Sequence, residues 1–141
     1  MFKTLAAAAA TLAFAAANPL SAQTAEPLTK GEAKLAEMLE GRVAGEPVNC
    51  IRTFGSRNLQ QIDDTAIVYR DGDTVWVNYT RSPGSIDDDD YLVIRKFNAT
   101  QLCRTDQVTT YDRFANFFSG VIFLDDFIPY RLPGADAENG G

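Results

Sequence analysis

The chain has 141 residues, 45% hydrophobic and 11% aromatic, with 13 basic against 19 acidic side chains and a net charge of −6. That apolar content can build a packed core and excludes a chain disordered throughout. The acidic balance excludes binding driven by nucleic-acid phosphates or an anionic membrane, both of which call for a basic surface.

The N-terminus carries the three parts of a secretory leader. Lys3 supplies the positive start, Leu5 to Ala17 is an uncharged apolar run, Asn18-Pro19 breaks it, and Leu20-Ser21-Ala22 places a small residue at the cleavage point. A run of about 13 residues falls short of the roughly 20 that a membrane-crossing helix requires. Residues 1–22 are therefore read as a signal peptide, with no membrane span after cleavage. Residues 23–133 make one small β-rich domain, and 134–141 a polar, Gly-rich disordered tail. The Ala-rich leader points to a bacterial protein, periplasmic or secreted.

Thr29-Lys30-Gly31-Glu32 is a capping box, followed by Leu35, Met38 and Leu39 at helical spacing. This predicts a short amphipathic helix over 30–40, closed by Gly41 and too short to stand unpacked. Everything after Gly45 reads as β: Val48–Thr53, then a weaker run from Asn58 to Ile62. Thr65 to Tyr79 is a hairpin about a two-residue Asp71-Gly72 turn of type I′, which would set Tyr69 opposite Thr74 and Val68 opposite Val75. One of its faces carries Ala66, Val68, Val75 and Val77, the other Ile67, Tyr69 and Trp76. Both are apolar, so the hairpin is expected to be covered on both sides, by the helix on one of them.

Arg81 to Asp90 is a loop, given Pro83-Gly84 and the acidic run. Tyr91–Phe97 is a strand, Val108–Tyr111 a shorter one, and Val121–Leu124 another. Tyr111 to Ser119 fits either a helical turn or an irregular cover. Pro129 and Pro133 prevent a long strand near the end. The fold class is mainly β: a small antiparallel barrel or sandwich of about six strands with a short N-terminal helix.

Export would carry Cys50 and Cys103 into an oxidising space, where a lone pair in a small domain bridges. They lie far apart, unlike the close C-x-x-C spacing of redox pairs, so the disulfide is read as structural. The enclosed segment of about 54 residues is worth roughly 4 kcal/mol in chain entropy.

The chain contains no His, which removes Ser–His and Cys–His nucleophile pairs and His metal sites. No glycine-rich phosphate loop is present, and no cofactor is expected. The densest feature is Asp87-Asp88-Asp89-Asp90. Calcium would relieve the repulsion of these four carboxylates, although the EF-hand pattern is absent and adjacent side chains diverge on an extended chain. The plainer reading is a solvated acidic loop guarding the next strand. Asp63-Asp64, Asp125-Asp126 and Glu46 are the carboxylates a glycosidase would have to pair. Trp76 with Tyr69, and Phe114, Phe117 and Phe118 with Tyr111, are of the kind that stack on a sugar or a partner, and their spacing is read as core. Asn78-Tyr79-Thr80 and Asn98-Ala99-Thr100 match the glycosylation pattern by coincidence.

The Ala-rich leader, Gly45-Glu46-Pro47-Val48-Asn49-Cys50-Ile51 before a strand, Thr65-Ala66-Ile67-Val68-Tyr69-Arg70, the Asp-rich stretch before Tyr91-Leu92-Val93, the second Cys and Asp126-Phe127-Ile128-Pro129-Tyr130 together resemble small secreted proteins of alphaproteobacteria. The resemblance spans roughly residues 40–130. It implies the bacterial envelope and brings no catalytic residues with it. Charge and missing catalytic groups point to a non-enzymatic periplasmic or secreted binding module whose acidic loop docks on a basic envelope protein. The alternative is a Ca²⁺-dependent module or a carboxylate-based, glycosidase-like enzyme.

Overall fold

The computed structural model describes residues 25–135. The leader assigned to 1–22, and the tail from 136 onward, lie outside the described residues. The capping box forms as its side chains dictate. The Thr29 hydroxyl accepts from the Glu32 N–H at 3.2 Å, and the Glu32 carboxylate accepts from the Thr29 N–H at 2.8 Å. Helix α1 then runs Lys30–Met38.

Ten strands follow among the described residues: β1 (Val43–Ala44), β2 (Cys50–Arg52), β3 (Leu59–Ile62), β4 (Ala66–Asp71), β5 (Thr74–Asn78), β6 (Asp90–Arg95), β7 (Gln101–Cys103), β8 (Gln107–Asp112), β9 (Phe118–Ile122) and β10 (Ile128–Arg131). They make three antiparallel sheets, ordered β1-β10-β5-β4-β3, β2-β7 and β6-β8-β9. The mainly-β class therefore holds, with ten strands where about six were expected and with no sheet closed into a barrel. Seven of the ten overlap runs read from the sequence, and the added strands are β1, β7 and β10.

Strand β10 contains a proline, and its placement explains why it is tolerated. The Gly45 N–H donates to the Pro129 carbonyl at 2.7 Å. A residue's nitrogen and carbonyl point the same way in a strand, so the missing N–H of Pro129 faces Gly45, beyond the end of β1. The pairing of β10 with β5 loses nothing.

The hairpin is formed, with a corrected register. Asp71 pairs with Thr74, Tyr69 with Trp76 and Val68 with Val77, so the turn is Gly72-Asp73. Of these two, only Gly72 has a positive φ, at 54°. That is the type II′ pattern, with glycine at the first central position, in place of type I′. Each partner moves by two residues, which leaves the faces as expected.

Each face has its own core. Ala66, Val68, Val75 and Val77 join Ile62 and Leu35 of α1, with Met38 and Leu39 at the margin, so the helix covers this face. Ile67 and Tyr69 point the other way. There they meet Ile51, Leu102, Val108, Ile122 and Phe127, drawn from the two smaller sheets and the segment before β10. This second cluster packs the three sheets together, and each large side chain it buries contributes about 1.5–3 kcal/mol. Cys50 and Cys103 lie directly opposite each other on β2 and β7 and are disulfide-bonded.

Candidate functional site

Where the three sheets meet, their side chains do not fill the space completely. A cleft of about 350 Å³ opens between them, within the range of small-molecule pockets. Its floor is apolar: Leu59 of β3, Tyr69 of β4, Leu92 and Ile94 of β6, and Leu102 of β7. Leu92 and Ile94 face it because strand residues two apart share a face. The same alternation brings in Lys96, one step past the end of β6.

The rim is polar. The Lys96 ammonium donates to the Thr53 hydroxyl at 2.6 Å. Arg113, from the turn between β8 and β9, donates through one nitrogen to the Asp90 carbonyl at 3.2 Å and the Asp88 carbonyl at 3.4 Å. Gln61 donates to the Asp87 carbonyl at 2.8 Å. The loop over the cleft is anchored from below, where the Phe54 N–H donates to the buried Tyr69 hydroxyl at 2.9 Å. Among the described residues no acidic side chain lines this cleft, whereas both Lys96 and Arg113 do. Its charge is thus opposite to that of the whole molecule.

The acidic loop lies beside this rim. The four adjacent carboxylates part company. Asp87 and Asp88 converge with Asp63, their oxygens within 4.8 Å of one another and all three residues exposed. The Asp89 N–H donates to Asp87 Oδ1, and Asp90 turns inward, accepting from the Ser119 hydroxyl at 3.1 Å. Asp63 is held above the usual carboxylate range, by lost hydration first and then by repulsion from Asp64, Asp88 and Asp87. Because the residue is exposed, the accumulated repulsion is the part that matters physically. Calcium takes six to eight oxygens, so beyond one ligand atom from each of these three residues it would draw on their second oxygens, backbone carbonyls or water.

The other carboxylates considered from sequence are elsewhere. Asp126 is paired with Arg104 at 3.1 Å, Asp125 accepts from the Asp126 N–H, and Glu46 is exposed before β2. None of them lines the cleft.

The aromatic expectation needs correcting. Tyr69 is buried and Trp76 is packed against the main core, with the Arg131 guanidinium 5.7 Å from its ring. Phe114, Phe117 and Phe118 are not core but exposed, Phe114 at 85%. They belong to the turn and strand edge of the β6-β8-β9 sheet. On its outer face the Tyr91 and Tyr111 rings stack at 5.6 Å and Phe118 meets Tyr111 edge-on at 5.9 Å.

Asn78 is fully buried and cannot be reached for glycosylation in the folded protein. Its Nδ2 donates to the Asp125 carbonyl, and its Oδ1 accepts from the Thr80 and Asp125 N–H groups. Asn98 lies on an exposed turn, where its Oδ1 accepts from Thr100.

Sequence reasoning missed the cleft and its two cations. The signal for Lys96 was the two-residue alternation from Leu92 through Ile94. Nothing local marked Arg113. Comparison with known proteins found no matching family model, no similar curated protein and no similar solved structure, so the geometry alone carries the functional argument.

Proposed function

We propose that this chain is a non-enzymatic binding module of the bacterial envelope, periplasmic or secreted, and that the cleft between its three sheets is its binding site. The observation that carries this reading is the cleft itself: an apolar floor of five side chains with Thr53, Ser56, Gln61, Lys96 and Arg113 spaced along its rim. That combination is what small-molecule sites share. Among the described residues the cleft lining holds no His, Cys, Asp or Glu, the side chains that most often move protons near neutral pH. The disulfide and the Ala-rich leader support an oxidising compartment. In this reading the acidic lip of Asp63, Asp87, Asp88 and Asp89 steers a basic partner protein toward the module, because none of these carboxylates has an ion-pair partner among the described residues.

The test uses the fluorescent dye 8-anilinonaphthalene-1-sulfonate, an amphipathic probe of cleft size. Dye fluorescence is expected to rise on adding the protein. It should be lost in Ser56→Trp, whose indole would close the exposed rim, while Phe114→Ser with Phe118→Ser leaves it intact. Loss on removing the outer phenylalanines, with Ser56→Trp unaffected, would overturn the assignment.

A further inference from the structure

Resting on the cleft as the binding site, we propose that its occupant is an extended peptide segment of a partner protein, added as a strand along the free edge of β6. The segment runs antiparallel to β6. It carries an acidic residue at its start, alternating apolar residues, and a basic residue at its end.

The backbone of β6 carries the choice. Strand β6 pairs with β8 alone. Opposed residues of an antiparallel pair alternate between exchanging hydrogen bonds and pointing theirs away. Asp112 turns toward β9, its N–H donating to the Phe117 carbonyl and its carbonyl accepting from the Asn116 N–H, both at 2.9 Å. Tyr111, Thr109 and Gln107 therefore turn toward β6, where they meet Tyr91, Val93 and Arg95. The alternate residues Asp90, Leu92 and Ile94 face the free edge. Asp90 shows this phase directly, because its N–H donates to the Asp87 carbonyl at 3.3 Å and its carbonyl accepts from Arg113. The edge-facing N–H and C=O groups of Leu92 and Ile94 are left, and they meet no partner among the described residues. Donors and acceptors repeating at strand spacing are matched by another extended backbone.

This edge borders the cleft. Leu92 and Ile94 line it together with Leu59 and Tyr69 across the floor. Cross-strand partners share a face, so the residues set opposite Leu92 and Ile94 are the apolar ones. The surroundings suit a single extended chain better than a second folded copy. The segment after β2 is tied to one end of the edge by the Lys96–Thr53 bond, and β3 to the other by the Gln61–Asp87 bond.

The two ends also differ in charge. Lys96 stands past Ile94, half-buried, held by the neutral Thr53 hydroxyl and with no carboxylate in ion-pair distance among the described residues. Asp63, Asp87 and Asp88 gather beside the start of β6, their oxygens within 4.8 Å of one another. From Asp90 to Lys96 the strand spans about 20 Å, which suits charges at the two ends of a strand and not one small head. Because β6 runs from the acidic lip to Lys96, an antiparallel segment starts at Lys96 and ends at the lip. That order puts its acidic residue first and its basic residue last.

An acetylated and amidated Glu-Thr-Val-Thr-Val-Thr-Lys peptide, titrated into the ¹⁵N-labelled protein, tests this pairing. The Leu92 and Ile94 amides are expected to gain protection from hydrogen exchange on binding, whereas those of Tyr91 and Val93 are protected already by β8. The peptide with Glu and Lys interchanged should bind about tenfold more weakly. Methylating both valine nitrogens should abolish binding, since these donate to the Ile94 and Leu92 carbonyls. Methylating the central threonine nitrogen, which faces away, should not. Lys96→Met should remove most of the preference between the two charge orders. If that variant fails to fold, Asp87→Asn with Asp88→Asn reads the same preference from the exposed end. Equal affinity for both charge orders, or undiminished binding of the peptide methylated at both valines, would overturn the assignment. Self-association that protects Leu92 and Ile94 without any peptide would give the edge to a second copy and overturn it as well. If no peptide binds although the dye occupies the cleft, strand addition is excluded and the cleft stands. If the dye does not bind there either, the underlying assignment of the cleft fails too.

Discussion

At the scale of single residues, two carboxylates show how differently one side chain can act. Asp106 is buried, and its two oxygens accept from the Phe97 and Cys103 N–H groups at 3.0 and 2.7 Å. It ties the end of β6 to β7 beside the disulfide, just below Lys96. Asp106→Asn would turn an amide N–H toward one of these donors. The expected cost is about 2–3 kcal/mol in chemical denaturation, since a charge-assisted bond is lost and a buried donor is left unmet. Asp63 is the opposite case, exposed and crowded by like charge. Its proton is held more tightly in the folded state, so the ionised form weakens the fold as pH rises through the raised value. Asp63→Asn should therefore raise the melting temperature at pH 7 and have no effect below about pH 3, where both states are protonated. A difference that persisted at low pH would rule out charge as the cause. Neither role was legible from sequence, where Asp106 stood isolated and Asp63 was one of several acidic pairs.

At the scale of elements, the helix and the hairpin faces could be read because their signals are local. Thr29 and Glu32 cap within one turn, and the alternation from Ala66 to Val77 sorts the two faces without knowledge of the register. The register itself depended on which dipeptide forms the turn. Asp71-Gly72 and Gly72-Asp73 use the same glycine and differ only in whether it stands second or first. Strands β1, β7 and β10 escaped because two to four residues carry too little periodicity, and β10 includes a proline. Phe114, Phe117 and Phe118 were misassigned because spacing alone does not say whether a third sheet lies over them. Docking of α1 offers a test in which two principles oppose each other. A Cβ at Gly31 would sit 2.1 Å from the Thr65 hydroxyl and 2.2 Å from the Asp63 carbonyl. Helix propensity alone says that Gly31→Ala gains about 1 kcal/mol. The close packing says that it loses about 1–3 kcal/mol, and a loss is expected in thermal melts. A stabilised Gly31→Ala would show that the helix does not rest on the β3–β4 turn.

At the scale of the whole molecule, the chain brings distant segments together and seals one junction covalently. Strands β2 and β7 are held by the Cys50–Cys103 bond across a sequence separation of 53. Replacing both cysteines with Ser is expected to cost up to roughly 4 kcal/mol, a large share of a small domain's stability. The same long-range closure explains why the cleft is invisible in the sequence: Thr53, Leu59, Tyr69, Lys96, Leu102 and Arg113 become neighbours only when three sheets pack. The result is a basic, apolar-floored recess in an acidic protein, next to three crowded carboxylates. On the proposed reading this recess, and not the exposed aromatic face of the β6-β8-β9 sheet, is where the module binds. Backbone ¹⁵N chemical shifts recorded while 8-anilinonaphthalene-1-sulfonate is titrated in would test it most directly. Binding in the recess predicts the largest changes at Phe54–Gln61 and Tyr91–Lys96. Largest changes at Phe114–Phe118 and Phe123, or none at all, would contradict it.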